Sequence, residues 1–260
     1  TFIYHRTPYF IVTLNSGYPG NLERLAFFHP AASALLQGIG PEPDILHLND
    51  WHCGFAAVEL ASRRRQELYW QSTRTVFSVH NMAYQGGVGM GELPAIGFTS
   101  EFASRSFSFN GYASAMKAGL EVSDTLSTVS KRYAHEIQTA ENGYGLDWLT
   151  RKRADRLIGI TNGVDYDVWN PETDPELPGH FSINDLAGKR ECKRSLLEQF
   201  HLLVELDRPI YAIVTRLTSH KGVELYKQVA GDLLSFAAFL IALDHGLSAP
   251  RAFLPHLLAF

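Results

Sequence analysis

Short apolar runs, each ending in a polar cluster, recur along the chain from about residue 44 onward. Loops rich in polar residues or glycine follow them, and then come longer segments with apolar residues at helical spacing. The short runs predict strands and the longer segments predict helices. Their alternation is typical of parallel βαβ units and predicts an α/β fold with a parallel sheet. The predicted strands are residues 45–48, 75–79, 125–129, 157–160 and 210–214, and the predicted helices are residues 54–65, 112–122, 131–138 and 225–234.

This alternation is interrupted after Asn162, where prolines, glycines and acidic residues break the regular pattern for about twenty positions. Such a composition predicts a seam between two domains. A helix over residues 183–200, capped by Asn184, follows the seam, and a second unit begins near Pro209. The apolar run at residues 233–243 is too short to span a bilayer, so we predict a buried helix there and no membrane partner.

Composition and charge exclude several classes of function. The 260 residues are 45% hydrophobic and carry a formal net charge of −4, with lysine and arginine scattered, so no nucleic-acid partner is expected. Cys53 and Cys192 lie far apart without a CxxC pair, which predicts neither a disulfide framework nor a cysteine zinc site. No signal peptide is visible, and a reducing cytoplasm fits these features best.

Four loops after predicted strands carry the candidate chemistry, because open parallel sheets bind ligands beyond the carboxyl ends of their strands. Arg216 and Lys221 lie in the last loop, where Gly222 precedes a helix start whose free amides attract anions. This pattern favours a diphosphate, but it also fits two solvated surface charges, and it is not a Walker sequence. The four loops are residues 49–52, 80–86, 161–165 and 215–222.

Two further segments have two interpretations each. Asn162-Gly163 fits a plain turn, yet its position after a strand also allows the Asn162 amide to meet a ligand. The glycine-rich residues 86–91 are similar to a dinucleotide loop, but Pro94 blocks the helix that such a loop opens, so we predict a flexible loop or lid. A GxSxG elbow does not occur, and a serine nucleophile therefore has no candidate.

Histidine and carboxylate side chains in these loops raise the alternative of a metal site. His47, Asp50, His52 and His80 lie in or beside strand ends, and such groups bind zinc or iron. The spacings HExxH and HxHxDH do not occur, so no metal is predicted. The competing interpretation is that His47 packs in the sheet and that Trp51 anchors the next helix.

Eight segments agree in order and wording with one known family. They read LAFF (25–28), PDILHLNDWH (43–52), VHNMAYQG (79–86), KAGL (117–120), STVSKRYAHEIQ (127–138), GYGLD (143–147), ITNGVDYDVWNP (160–171) and RLTSHKG (216–222). Together they resemble the bacterial glycogen synthase and plant starch synthase family of retaining glucosyltransferases. The resemblance covers about residues 20 to 226.

This resemblance implies a GT-B enzyme with two Rossmann-like domains. The catalytic N-terminal domain is expected over residues 1–204 and the start of a nucleotide-sugar-binding domain over residues 205–260. The implied reaction moves glucose from a nucleotide sugar, with ADP-glucose favoured over UDP-glucose, to the non-reducing end of an α-1,4-glucan with retention. Nucleotide sugar and glucan are the expected partners, and neither cofactor nor metal is required. The expected location is the cytoplasm in a bacterium or the plastid in a plant.

Site residues follow from the same resemblance. In the family, the residue matching His80 contacts the transferred glucose, and the one matching Asn162 lies against the donor. Arg216 and Lys221 match residues that hold the diphosphate, and Asp50 matches a carboxylate tied to activity. Three further candidates complete the set: Lys193, Tyr84 and Gln85.

The family pattern extends beyond both ends of the sequence. Its first strand and its Lys-x-Gly-Gly-Leu loop would precede Thr1, and its Glu-containing loop would follow Phe260. We therefore expect a fragment that is inactive or nearly so by itself, and residues 235–260 are expected to lack the next strand. The alternative function is a non-catalytic glucan-binding or scaffolding remnant, which the aromatic loops around Tyr84 and Trp169 favour.

Overall fold

The chain forms two compact units, which meet in sequence between Gly163 and Val164. The computed structural model describes residues 10–11, 16–17, 21–215, 221–235 and 238–243. Among these residues, the first unit ends at Gly163 and the second begins at Val164. The division follows contacts within the chain, and the predicted domain limit between residues 204 and 205 stays a prediction.

Strands and helices alternate through most of the described chain. The strands of the first unit are β1 (Phe10–Ile11), β2 (Ser16–Gly17), β3 (Ile45–Asn49), β4 (Arg74–Val79), β5 (Gly87–Val88), β6 (Ser108–Phe109), β7 (Tyr112–Ser114), β8 (Thr125–Thr128) and β9 (Leu157–Gly159). Its helices are α1 (Asn21–Ile39), α2 (Gly54–Arg63), α3 (Glu101–Phe107), α4 (Ala115–Val122), α5 (Lys131–Glu136) and α6 (Asp147–Lys152). The second unit contains α7 (Ala187–Gln199), β10 (Ile210–Val214), α8 (Val223–Ser235) and β11 (Phe239–Leu243).

A sheet of four parallel strands, in the order β3-β4-β8-β9, lies at the centre of the first unit. Its register pairs Leu48 with Phe77, Phe77 with Leu126, and Leu126 with Leu157. Each of the four strands agrees with its predicted range within one residue at either end. The predicted α/β fold with a parallel sheet is therefore confirmed.

Polar side chains form a row across three strands of this sheet. His47 Nε2 lies 2.6 Å from Ser78 Oγ, and Ser78 Oγ lies 2.5 Å from Ser127 Oγ. Ser78 and Ser127 are both buried and stand opposite one another across β4 and β8. His47 itself is exposed, so the interpretation that it packs in the sheet is wrong. The reason is its place on β3, an edge strand of the described sheet.

Two apolar clusters hold the sheet and its helices together. One lies around the sheet and includes Phe77 and Leu126, and the other includes Phe55 on α2. Trp51, directly before α2, packs against both clusters. The approach of α2 to α4 is so close that a Cβ on Gly54 would overlap the backbone carbonyl of Ala115. Glycine is therefore required at the start of α2.

Residues 112–122 begin differently from the predicted helix. Tyr112–Ser114 is the central strand of a three-stranded antiparallel sheet, in the order β5-β7-β6, and the helix begins only at Ala115. The same sheet includes Gly87–Val88, so the prediction of a flexible loop is wrong for that part of the glycine-rich segment. Backbone pairing decides both cases, because β7 forms hydrogen-bonded ladders with strands on either side.

The second unit contains a parallel βαβ motif formed by β10, α8 and β11. Phe239–Leu243 is a strand, so the predicted buried helix at residues 233–243 and the expected lack of a next strand are both wrong there. Asn184 does not cap α7, the helix that follows it, because α7 begins at Ala187 and the Ala187 amide donates to the Asp185 carboxylate at 2.9 Å. Residues 160–186 contain neither helix nor strand.

Helix α1 was not predicted, and it is joined to the first unit by a buried histidine. His29 is 4% exposed, and its Nε2 donates to the backbone carbonyl of His52 at 2.8 Å. Burial lowers the pKa of His29 to about 4, against a raising effect of that hydrogen bond. Burial and the nearby His29 lower the pKa of His52 to about 4 as well. Both rings are therefore neutral at pH 7.

Acid is expected to destabilise the first unit through this pair. Both pKa values lie below the ordinary 6.5, so between pH 6.5 and 4 the unfolded chain binds protons that the folded chain does not. Stability that is complete above pH 6.5 is then lost on acidification, by about 3 kcal/mol at pH 4 from His29. Urea unfolding between pH 7 and 4 measures this loss. His29→Gln should reduce the dependence of the free energy of unfolding on pH, whereas the exposed control His135→Gln should not. An equal pH dependence in the wild type and both variants would show that the buried histidines do not cause the loss of stability.

Within the described ranges, no helix combines the length and apolar character that crossing a bilayer requires.

Candidate functional site

The site is formed where strands β3, β4 and β9 end. β3 and β4 are parallel and in register, with Asn49 opposite Ser78, so the residues that follow them are neighbours. The Asp50 amide donates to the Ser78 carbonyl at 2.8 Å and continues the ladder by one residue. The predicted placement of the 49–52 and 80–86 loops side by side at the carboxyl edge follows directly from this pairing.

His80 begins the loop after β4, and its ring is exposed. Its Nε2 lies 3.0 Å from Oδ1 of Asn49, and Asn49 is the last residue of β3. Asn49 was not predicted as a site residue, because its role depends on the register between two strands. A side-chain amide that orients the imidazole leaves the rest of the ring available to a ligand.

Asp50 has an unusual backbone conformation, with φ 62° and ψ 179°. This region is almost confined to glycine, and holding another residue there costs on the order of 1–3 kcal/mol. Its carboxylate is half-buried, and within the described part of the chain Oδ1 is buried without a hydrogen-bond partner. Strain and an unused acceptor in one residue are typical of a functional site rather than of a structural turn.

Burial and the neighbouring groups have opposite effects on the ionisation of the Asp50 carboxyl group. Burial raises the pKa of its carboxyl, whereas the charge of His80 and the backbone amides of Trp51, His80 and Asn81 lower it by smaller amounts. A carboxyl group with an available oxygen lies beside the imidazole of His80. Such a group accepts hydrogen bonds from ligand hydroxyls at little further cost, since the residue is already desolvated.

Gln85 spans two loops instead of facing the strand ends. Its Oε1 accepts a hydrogen bond from Tyr112 Oη at 3.0 Å, and its Nε2 donates to the Tyr144 carbonyl at 2.9 Å. Tyr144 has a left-handed φ of 49°, and its side chain is 54% exposed. Gln85 thus fixes the end of the 80–86 loop and the 143–146 loop together. Tyr84, its neighbour, is half-buried.

Gly86 closes the 80–86 loop with a φ of 59°, which an L side chain rarely adopts. A Cβ there would overlap the Trp51 ring. The amide of Ala115 donates to the Gly86 carbonyl, and the amide of Met116 donates to the Gln85 carbonyl at 3.1 Å. Both ends of the loop are therefore fixed, one by β4 and the other by the start of α4.

Asn162 follows β9 and is exposed. The strand order places β9 two positions from β4, so its end lies roughly 10 Å from that of β4. The Ile160 amide still bonds the Thr128 carbonyl at 2.8 Å, which holds the backbone two residues before Asn162. His80, Asp50 and Asn162 thus share one edge of the sheet.

The remaining candidates belong to the second unit. Lys193 is half-buried on α7, and its Nζ donates to the Arg208 carbonyl at 2.5 Å. Lys221 is exposed, directly before Gly222, whose φ is 78°, and the start of α8. Arg216 lies outside the described residues. Lys221 therefore stands at a helix start, as predicted from the sequence.

In the parts of the chain that the structure describes, no group of three or more His, Cys, Asp or Glu residues is arranged to hold a metal ion. The three histidines that suggested a metal site have separate partners. His47 bonds Ser78, His80 bonds Asn49, and the His52 ring stacks on Trp51 with centroids 3.9 Å apart.

These features define an α/β protein with an open parallel sheet, a strained carboxylate and an imidazole at its carboxyl edge, and a βαβ motif in a second unit. A family described as the starch synthase catalytic domain matches residues 1–152. Because this match covers more than half of the 260 residues, the chain belongs to the starch synthase catalytic domain family of glycosyltransferases.

Individual relatives agree with this assignment. Glycogen synthase of Anaeromyxobacter dehalogenans is 43% identical over 230 residues, which cover 88% of this chain and 48% of that protein. Glycogen synthase 1 of Geobacter metallireducens is 40% identical over 233 residues, which cover 89% of this chain and 46% of that protein. The chain therefore spans about half the length of the curated relatives it matches.

A solved structure supports the fold over nearly the whole chain. The catalytic domain of starch synthase IV from Arabidopsis thaliana, bound to ADP and acarbose, superimposes with a TM-score of 0.78 at 31% identity. The match covers 96% of this chain and 50% of the Arabidopsis chain. The predicted family and the GT-B type of fold are therefore confirmed.

Proposed function

We propose that the protein transfers glucose from ADP-glucose to the non-reducing end of an α-1,4-glucan with retention of configuration. The observation that carries the proposal is the meeting of His80, Asn49 and the strained Asp50 at the carboxyl edge of the sheet. The Arabidopsis structure holds ADP and acarbose, which favours ADP-glucose as donor and a glucan as acceptor. The proposed reaction uses no cofactor or metal beyond the nucleotide sugar.

The roles proposed for residues of the second unit follow from the negative charge on the leaving group. Departure of ADP places negative charge on the diphosphate, and fixed cations and helix-start amides stabilise that charge as it develops. Lys221, directly before α8, is proposed to contact the diphosphate, and Arg216 is proposed in the same role. Lys193 is proposed to support them indirectly, since its Nζ holds a backbone carbonyl before β10.

The roles proposed for residues of the first unit follow from the need to position the transferred glucose. The glucosyl centre becomes oxocarbenium-like, and correct orientation of the sugar contributes a large part of the rate. His80 is proposed to contact the transferred glucose, Asp50 to orient sugar hydroxyls and Asn162 to contact the donor. Gln85 is proposed to hold the 80–86 loop, and Tyr84 is proposed beside it.

Isotope transfer tests the function. The protein expressed from its complete reading frame is incubated with glycogen and either ADP-glucose or UDP-glucose labelled in the glucose. We expect label in glycogen from ADP-glucose, released as maltose by an exo-acting α-1,4-specific amylase, which shows retention. Retention of the protein on glucan without donor binding or incorporation would favour a glucan-binding protein instead. Absence of incorporation from both donors would refute the proposal.

Asp50→Asn is expected to raise stability and lower activity. The amide keeps the shape of the carboxyl group but removes a charge that burial disfavours, so the free energy of unfolding at pH 7 should rise by about 0.5–2 kcal/mol. Transfer of glucose should fall by about 100-fold. Urea unfolding and kcat measure the two effects. The exposed control Asp155→Asn should change neither, and a less stable, fully active Asp50→Asn protein would contradict the assignment.

The cellular location follows from the relatives as a further proposal. The curated relatives named above are bacterial proteins. This origin favours the bacterial cytoplasm over a plastid.

A further inference from the structure

The tyrosine at position 133 is attached to the 80–86 loop from a different element. Tyr133 lies on α5, whose first turn is capped by Ser130, and the Tyr133 amide donates to Ser130 Oγ at 2.9 Å. Its hydroxyl oxygen accepts a hydrogen bond from the Met82 amide at 3.0 Å. The two residues are 51 positions apart in sequence and come from segments that follow the paired strands β8 and β4.

Met82 is the point where the loop turns from solvent into the core. Its side chain is fully buried in the cluster around the sheet, whereas His80 two residues earlier is exposed. The ring of Tyr133 packs against the same cluster. A phenol that is itself anchored in the core thus bonds the backbone two residues after His80.

Neighbouring amides of the loop have other partners. The Ala83 amide bonds Asn81 Oδ1 at 3.0 Å, and the Tyr84 amide bonds the Asn81 carbonyl at 3.2 Å. These contacts are internal to the loop. The hydrogen bond to Tyr133 links the middle of the loop to α5.

Electrostatics places the phenol close to the site. Burial raises the pKa of Tyr133, the hydrogen bond from Met82 lowers it, and the charges of Tyr144 and Asp50 raise it further. The hydroxyl is therefore close enough to the Asp50 carboxylate for the two groups to interact electrostatically.

We propose that Tyr133 is a positioning residue for glucosyl transfer: its hydroxyl holds the Met82 amide and so fixes His80 against Asn49 and Asp50. This inference rests on the proposed function. Tyr133 contacts no reacting atom, and its effect passes through the backbone of residues 80–82. Loss of the hydroxyl misplaces the imidazole by a fraction of an ångström, which reduces the rate more than it reduces binding.

Tyr133→Phe removes the hydroxyl and keeps the ring in the core. In the protein expressed from its complete reading frame, kcat should fall about 10-fold, while KM for ADP-glucose stays within about twofold and Tm within about 3 °C. Hydrogen exchange at the Met82 amide should become about 10-fold faster. A merely structural role would lower Tm and leave kcat unchanged.

Tyr69→Phe is the matched control. Tyr69 Oη donates to the Leu36 carbonyl at 2.9 Å in the same unit, away from the strand ends, so its loss should lower Tm and leave kcat unchanged. Equal kcat in wild-type and Tyr133→Phe proteins would overturn the inference alone, because the wild type is then active. A wild-type protein without transfer would overturn the proposed function and with it the kinetic role of Tyr133, whereas Met82 exchange still reports the contact.

Discussion

Replacement of His80 by alanine is expected to lower kcat for glucosyl transfer by about 100- to 1,000-fold. The imidazole is exposed at the carboxyl edge, is oriented by Asn49 and lies beside the Asp50 carboxylate, so its removal affects the position where the sugar is proposed to react. The free energy of unfolding should stay within about 0.5 kcal/mol, because an exposed side chain adds little to the core. Steady-state transfer from ADP-glucose and urea unfolding measure both quantities.

Two further variants serve as comparisons for His80→Ala. His135→Ala removes another exposed histidine of the same unit, on α5, and should leave kcat unchanged. Asn49→Ala removes only the partner of the ring and should give a smaller loss, on the order of 10-fold. If His80→Ala retains more than half of the wild-type kcat, the imidazole has no part in transfer and the proposed assignment of the site is wrong.

Gly54→Ala is expected to lower the free energy of unfolding by more than about 3 kcal/mol. A Cβ on Gly54 overlaps the carbonyl of Ala115, and neither partner is a flexible side chain that could turn away. Helices α2 and α4 must then separate, which opens the cluster that contains Phe55. Urea unfolding followed by circular dichroism gives the change, and purified protein that is already unfolded meets the same expectation.

Gly38→Ala is expected to change the free energy of unfolding in the opposite direction. Gly38 lies in α1 and a Cβ there meets no atom within 4 Å, so alanine should stabilise the helix by about 0.5–1 kcal/mol. Equal stabilities of Gly54→Ala and wild-type protein would show that α2 and α4 do not approach as closely as described. A destabilised Gly38→Ala protein would show that α1 packs more tightly there.

The parallel sheet could be predicted because its strands are short, apolar and followed by polar clusters. β3, β4, β8 and β9 all show this local pattern. β7 does not, since Tyr112–Ser114 runs without a break into α4 and becomes a strand only by pairing with β5 and β6. Phe239–Leu243 was likewise assigned to a helix, because a continuous apolar run fits either a buried helix or a buried parallel strand.

Helix α1 could not be predicted from the sequence for a different reason. It contains Pro30, which removes a backbone donor and normally ends a helix. Tertiary contacts favour it nevertheless, including the hydrogen bond from His29 to the His52 carbonyl. Such contacts join segments that are 23 residues apart and leave no local pattern.

The candidate site could be located from the sequence but not assembled from it. The rule for parallel sheets placed His80, Asp50 and Asn162 at one edge, whereas the backbone strain at Asp50 and the partnership of His80 with Asn49 depend on register. Gln85 links two loops through its side-chain amide, and its residue type alone does not indicate this role. The roles of Lys221 and Arg216 stay predictions.

The polar row of His47, Ser78 and Ser127 has a consequence for folding. A strand that shifts by one residue turns all of its side chains to the opposite face of the sheet. Here a shift of β8 against β4 would separate Ser127 from Ser78 and leave the Ser127 hydroxyl without that partner, which costs about 1–3 kcal/mol if the hydroxyl stays buried. The contact between His47 and Ser78 likewise favours one alignment of β3 with β4, and this is the alignment that places His80 beside Asp50.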